Sequence, residues 1–230
     1  MSLFKEIRLS VEMSFATLET TLAVHFGIPP DDYGKFRARI KQLQRLGFPP
    51  GVNVGRGTKF AYTVDHFLQS GIALELLNSG LTGKLVTDLV TEHWQKIGAG
   101  IWAAHDRSPR NPWSEHRGPD VHLDIEVQGL KNSDGKFARI QVEDDYSRLE
   151  PIFSVGRQRC VVSVNLTAFS NDILENLFKV GQFSEYSVQN AIKKYGKIIP
   201  ELKSPSFLNK GFEWYRVGLF DSGGNDLSHG

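Results

Sequence analysis

The chain has 230 residues, 40% of them hydrophobic, and its 27 Lys and Arg nearly balance 26 Asp and Glu, for a formal net charge of +1. That length and apolar content suit one large or two small domains, and near-neutrality excludes a general polycation of the nucleic-acid-packaging kind. No apolar run is long enough to cross a bilayer, MSLFKEIRLSVEMSF lacks the apolar core of a signal peptide, and a single cysteine, Cys160 within RCVVSVNL, excludes an internal disulfide and reads as a small core residue; the expected setting is cytoplasmic and nucleoid-associated.

Residues 1–12 read as a short strand or an arm. A helix is expected from Ser14 to about Phe26, with Phe15, Leu18, Leu22 and Phe26 on one stripe and Gly27 ending it. After Ile28-Pro29-Pro30, Asp31 is placed to cap a second helix that runs to Leu46, with Asp32 in its first turn.

This second helix opens the stretch KFRARIKQLQRLGFPPGVNVGRGTKFAY, residues 35–62, which holds Lys35, Arg37, Arg39, Lys41, Arg45, Arg56 and Lys59 and no Asp or Glu between Lys35 and Lys59. Phe36, Ile40 and Leu43 recur at a helical period and face a core, so the cations fall mainly on the other faces. Gly47 and Pro49-Pro50 end the helix. A glycine-punctuated hairpin over 51–62 follows, with Arg56 between Gly55 and Gly57 and Lys59 near its tip, leading into Phe60 and Tyr62. A basic helix followed by a basic hairpin is the outline of a winged helix-turn-helix, whose parts meet DNA in a groove and along the phosphates. The competing reading is a solvated face.

Thr63 is a good cap for a third helix over 64–78, carrying Val64, Phe67, Leu68, Ile72, Leu76 and Leu77, and Gly80 stops it. A fourth, Thr82 to about Ile97, carries Leu85, Val86, Leu89, Val90, Trp94 and Ile97. Both patterns predict amphipathic helices on a shared core.

This order of helix, turn, basic helix ending in Leu-Gly-Phe, Gly-Arg-Gly hairpin before Tyr62, and two amphipathic helices resembles the DNA-binding domain of MerR-type and excisionase-like winged-helix proteins, over residues 12–97. The resemblance implies that Lys35, Arg37, Arg39 and Lys41 lie on or near a recognition helix in the major groove, and Arg45, on the same basic helix, is a further candidate DNA contact. It implies too that Arg56 and Lys59 sit on a wing shaped by Gly55 and Gly57 and closed by Tyr62. The chain departs from the family at Gly98 and Gly100, where a long dimerisation helix would continue, and no metal-sensing chemistry carries over.

Residues 98–120, rich in Gly, Pro, Ser and alternating charge, read as a connector with Trp102 and Trp113 as surface anchors. A small α+β domain with an antiparallel sheet is expected over 121–220. Val121 to Val127 alternate with polar residues as a strand, Asn132–Gly135 turn, and Phe137–Val142 answer as a hairpin. Arg159–Leu166 supply a third strand with Cys160, Val162, Val164 and Leu166 inward. Ser170 is placed to cap a helix with Ile173, Leu174, Leu177 and Phe178 on its buried stripe, and a second amphipathic stretch spans Tyr186–Tyr195. Residues 221–230 have the composition of a disordered tail.

No P-loop, GxSxG or HExxH is present. His93, His105, His116 and His122, with Asp106, Glu115 and Asp120, have no regular metal-ligand spacing. Asp120, Asp124 and Glu126 resemble the acidic cluster of a metal-dependent nuclease, but Gln128 stands where its lysine would. The expected protein is therefore not an enzyme and carries no catalytic residue, metal or cofactor. It is expected to be a bacterial-type, sequence-specific double-stranded-DNA-binding regulator of transcription, homodimeric, whose C-terminal domain dimerises, meets a partner protein or senses a ligand; no membrane is involved. The alternatives are an accessory factor of recombination or mobile DNA, a nuclease acting through the C-terminal domain, and an adaptor for an acidic protein.

Overall fold

The computed structural model describes residues 11–52, 60–108, 110–111, 118–126, 140–144 and 161–197. The expected hairpin tip with Gly55, Arg56, Gly57 and Lys59, as well as Trp113, Glu115, His116, Cys160 and the 221–230 tail, lies outside the described residues. The chain is α+β. Among the described residues it has seven α-helices and two small antiparallel sheets: α1 (Phe15–His25), α2 (Tyr33–Arg45), α3 (Val64–Asn78), α4 (Gly83–Glu92), α5 (Trp94–Arg107), α6 (Leu166–Lys179) and α7 (Glu185–Lys193), with strands β1 (Glu12–Met13), β2 (Tyr62–Thr63), β3 (Val121–Glu126), β4 (Ile140–Asp144) and β5 (Val161–Asn165).

Local chemistry sets most helix ends. Ser14 caps α1, its Oγ accepting from Thr17 N at 3.1 Å. Thr63 caps α3 in a reciprocal box: its hydroxyl accepts from His66 N, and its own N–H donates to His66 Nδ1 at 3.1 Å. Gly47, at φ +79°, carries the left-handed turn that closes α2. The cap expected at Asp31 is not made. Pro30–Asp32 form a 3-10 turn leading into α2, and the Asp32 carboxylate accepts from Lys35 Nζ at 2.7 Å instead of from the helix backbone.

The expected fourth helix is two. α4 ends at Glu92, His93 leaves helical geometry at φ −105° and ψ 14°, and α5 begins at Trp94. α5 then runs through Gly98 and Gly100, which corrects the reading of 98–107 as connector. These glycines permit close approach. A Cβ on Gly98 would lie 2.8 Å from the Tyr195 ring, and one on Gly100 2.7 Å from Leu166 Cδ1. Each glycine costs a helix about 1 kcal/mol against alanine, which packing at such distances offsets. The end of α5 is tied down as well: Ser108 Oγ donates to Asn171 Oδ1 at 2.7 Å, and Arg110 pairs with Asp172 at 3.1 Å. Gly98→Ala should therefore cost about 1–3 kcal/mol by overpacking against a ring that cannot swing away, read as a lower urea midpoint at unchanged slope.

The three-stranded sheet has the order β4-β3-β5, antiparallel throughout, with Leu123 opposite Val142 on one side and Val164 on the other. Within β5 only Val164 is buried, while Val161 is exposed, and Leu166, expected inward on this strand, already belongs to α6. The α6 cap is Asn165, not Ser170: its Oδ1 accepts from Ala168 N at 2.8 Å while its Nδ2 donates to Asp120 Oδ2 at 2.8 Å. Ser170 is instead buried and bonds the carbonyl of Thr167.

The shorter sheet pairs β1 with β2, Met13 opposite Tyr62. It ties the chain ahead of α1 to the end of the expected hairpin.

Among the described residues a single hydrophobic core crosses the expected domain boundary. It joins Leu18 and Leu22 of α1, Phe36 and Ile40 of α2, Phe67 and Ile72 of α3, Ile97 and Ile101 of α5, Leu123 of β3, Ile173 of α6 and Ile192 of α7. α6 packs on α1, α5 and β3, and α3 on α4, α7 and β5. α3 packs on the shared core as expected, but its burial extends beyond the apolar stripe. Gln69, Ser70 and Gly71, on what would be its polar side, are buried, and a Cβ on Gly71 would meet Ile173 Cδ1 at 2.5 Å.

His105, near the end of α5, is buried, and burial holds its pKa below the ordinary 6.5; burial lowers His66 and His93 too. The unfolded chain binds protons that these imidazoles refuse. Their contribution to stability is present above pH 6.5 and is lost as pH falls through the depressed values. Urea midpoints should drop on acidification below that point, and less steeply in His105→Gln.

Candidate nucleic-acid interface

α2 turns Phe36, Ile40, Leu43 and Gln44 inward, which leaves its cations on the exposed side and the flanks. The structure separates them into two groups. Arg37 reaches back to α1, where its Nε donates to Glu19 Oε1 at 2.7 Å; the Glu19 side chain is only 6% exposed. A buried carboxylate needs such a partner. The bond to Glu19, and then its charge, raise the Arg37 pKa. On the other flank Arg39 Nη1 donates to Asn78 Oδ1 at the end of α3, at 2.9 Å. Lys35 is held by Asp32, whose hydrogen bond and charge raise its pKa. Lys41 and Arg45 are exposed, one turn apart on one ridge, and meet no acceptor among the described residues.

Of the five helix cations named from sequence, then, three have acceptors within the chain. Arg37 and Arg39 are both engaged with neighbouring helices. Sequence reasoning missed Glu19, which lies 18 residues from Arg37 and within an apolar helix stripe; an acidic residue in that stripe is the signal that it needs a cation.

Tyr62 is buried, and its hydroxyl accepts from Gln44 Nε2 at 2.7 Å. Burial raises its pKa. Its ring packs edge-on against Phe60 at 5.1 Å and tilted against Phe15 at 6.2 Å. It thereby fixes the strand leaving the expected hairpin to α1 and to the C-terminal end of α2. Gly55, Arg56, Gly57 and Lys59 lie outside the described residues, so the geometry of the interface rests on α2 and Tyr62.

Among the described residues no three His, Cys, Asp or Glu side chains come together as a metal site. Asp120, from the nuclease-like trio, accepts from Asn165. No described helix is long and apolar enough to cross a membrane. Comparison with protein-family models, with curated proteins and with solved structures finds no match to this chain.

Proposed function

We propose that this protein binds double-stranded DNA through the exposed ridge of α2, as a regulator of transcription, with the MerR-like winged helix as the working frame. The observation that carries the reading is the pair Lys41 and Arg45: two cations on one helix ridge with no acceptor among the described residues, on a helix whose other cations are anchored at its flanks. Arg37 and Arg39 then hold the helix in place, and Lys41, Arg45 and the expected wing cations Arg56 and Lys59 meet the duplex. Binding as a homodimer to a two-fold site belongs to the same reading.

The test is a salt titration of duplex binding by the full chain. Each phosphate contact contributes about 0.9 to the slope of log K against log salt, so K41A/R45A should lower the slope by about 1.8 and weaken binding at moderate salt by more than tenfold. Arg37→Ala should lower thermal stability more than it changes sequence preference. A wild-type slope in the double variant sinks the assignment of this ridge. Enrichment of bound sites at promoters supports the regulator, and clustering at the ends of mobile elements supports the recombination factor.

A further inference from the structure

The residue that returns the Thr63 cap is a histidine, where a capping box ordinarily carries Glu or Gln. Thr63 N donates to His66 Nδ1 at 3.1 Å, and the Thr63 hydroxyl lies 3.2 Å from the same nitrogen. A backbone N–H only donates, so Nδ1 must accept and the ring's proton sits on Nε2. The ring also meets the backbone carbonyl of Pro50, an acceptor that suits the Nε2 proton. Phe60 packs on it tilted at 5.4 Å and Tyr62 edge-on at 6.2 Å. One imidazole thus ties the chain just after α2, at Pro50, to β2 and the first turn of α3.

Protonation reverses this chemistry. An imidazolium donates at both nitrogens, so the Thr63 N–H loses its acceptor. The charge would also sit in the first turn of a helix, where the macrodipole opposes a cation. Burial is the largest influence on the ring and pushes its pKa below 6.5; the Pro50 carbonyl and the Asp65 charge pull it up, and Lys194, on the 3-10 segment Lys194–Lys197, pushes it down again. Lys194 is itself paired with Asp65, so these two charges oppose each other at the ring. The Tyr195 phenol beside them, pushed up by burial, stays un-ionised. His66 is only half-buried and lines a cleft with Pro50, Thr63 and Asp65, so a proton reaches it without the core opening.

We propose that His66 is a proton-operated clasp: neutral, it caps α3 and anchors β2, and protonated, it releases both. A glutamine here would return the same cap at every pH, whereas histidine returns it only while neutral. Tyr62, whose hydroxyl accepts from Gln44 of α2, carries the release to the helix assigned to DNA. That consequence, though not the clasp itself, rests on the DNA-binding reading.

The experiment is amide hydrogen exchange of the full chain followed by NMR, expressed as protection, from about pH 8 to about pH 5, for the wild type and His66→Gln. Thr63 protection should fall about fivefold in the wild type, the effect of losing one helix cap. It should stay level in His66→Gln, whose side chain caps without titrating. The Thr17 amide, held by Ser14 Oγ, is the internal reference and should not change. A level Thr63 in the wild type overturns the clasp. So does an equal fall in His66→Gln, or a parallel fall at Thr17, which marks general acid unfolding. In a second arm, duplex affinity should weaken over the same range in the wild type and not in His66→Gln. Equal pH dependence of the two, with Thr63 behaving as expected, overturns the link to DNA and leaves the clasp standing.

Discussion

A chain cut after Ile97 should show no cooperative unfolding transition. The cut falls inside α5, and it strips α1 and α3 of the layer that covers them. Phe169 and Ile173 of α6 lie against Gly71 of α3, the Phe169 ring meets His25 of α1 edge-on at 5.6 Å, and Tyr195 lies on Gly98. Phe169, Ile173, Leu174, Leu177, Val188 and Ile192 are all buried in the common core. Burying one such side chain contributes about 1.5–3 kcal/mol, so losing six removes as much as the entire net stability of an ordinary domain, about 5–15 kcal/mol. Circular dichroism melts of residues 1–97 beside the full chain decide it. A sigmoidal transition in the fragment would show that its core closes unaided and that the sequence-based boundary was right.

Phe67→Ala should destabilise the full chain by about 3–5 kcal/mol, the range for emptying a buried aromatic site. Phe67 has no exposed surface and sits on α3, the helix packed on β2, α4, α7 and β5. A cavity there has rigid walls on several sides and little freedom to collapse. Val24→Ala, at a residue 43% exposed on α1, is the control and should stay within about 0.5 kcal/mol. Urea titration at constant slope gives both values. A loss at Phe67 no larger than the control would mean that α3 is not central to the core.

Residue chemistry acting over three or four positions was legible in the sequence. The span Val64–Asn78, the Thr63 cap, the turns at Gly27, Gly47 and Gly80, and the start of β3 at Val121 all follow from short-range patterns. An N-cap, a left-handed glycine and an alternating strand are fixed by neighbours along the chain. The concentration of cations on α2 was equally plain, as was the inward set Phe36, Ile40 and Leu43.

What the residues do at long range belonged to the tertiary structure. Gly98 and Gly100 read as a break because glycine weakens any helix; only Tyr195 and Leu166, far along the chain, show that they serve close packing. Arg37 and Arg39 read as free charges because Glu19 and Asn78 lie 18 and 39 residues away. Gln69 lies outside the apolar stripe of α3, and only the enclosure of that helix buries it. In each case the side chain's chemistry was visible in the sequence but its partner was not. Local conformation depends on adjacent residues, whereas the fate of a charge, a glycine or an amide depends on which distant surface the fold brings against it.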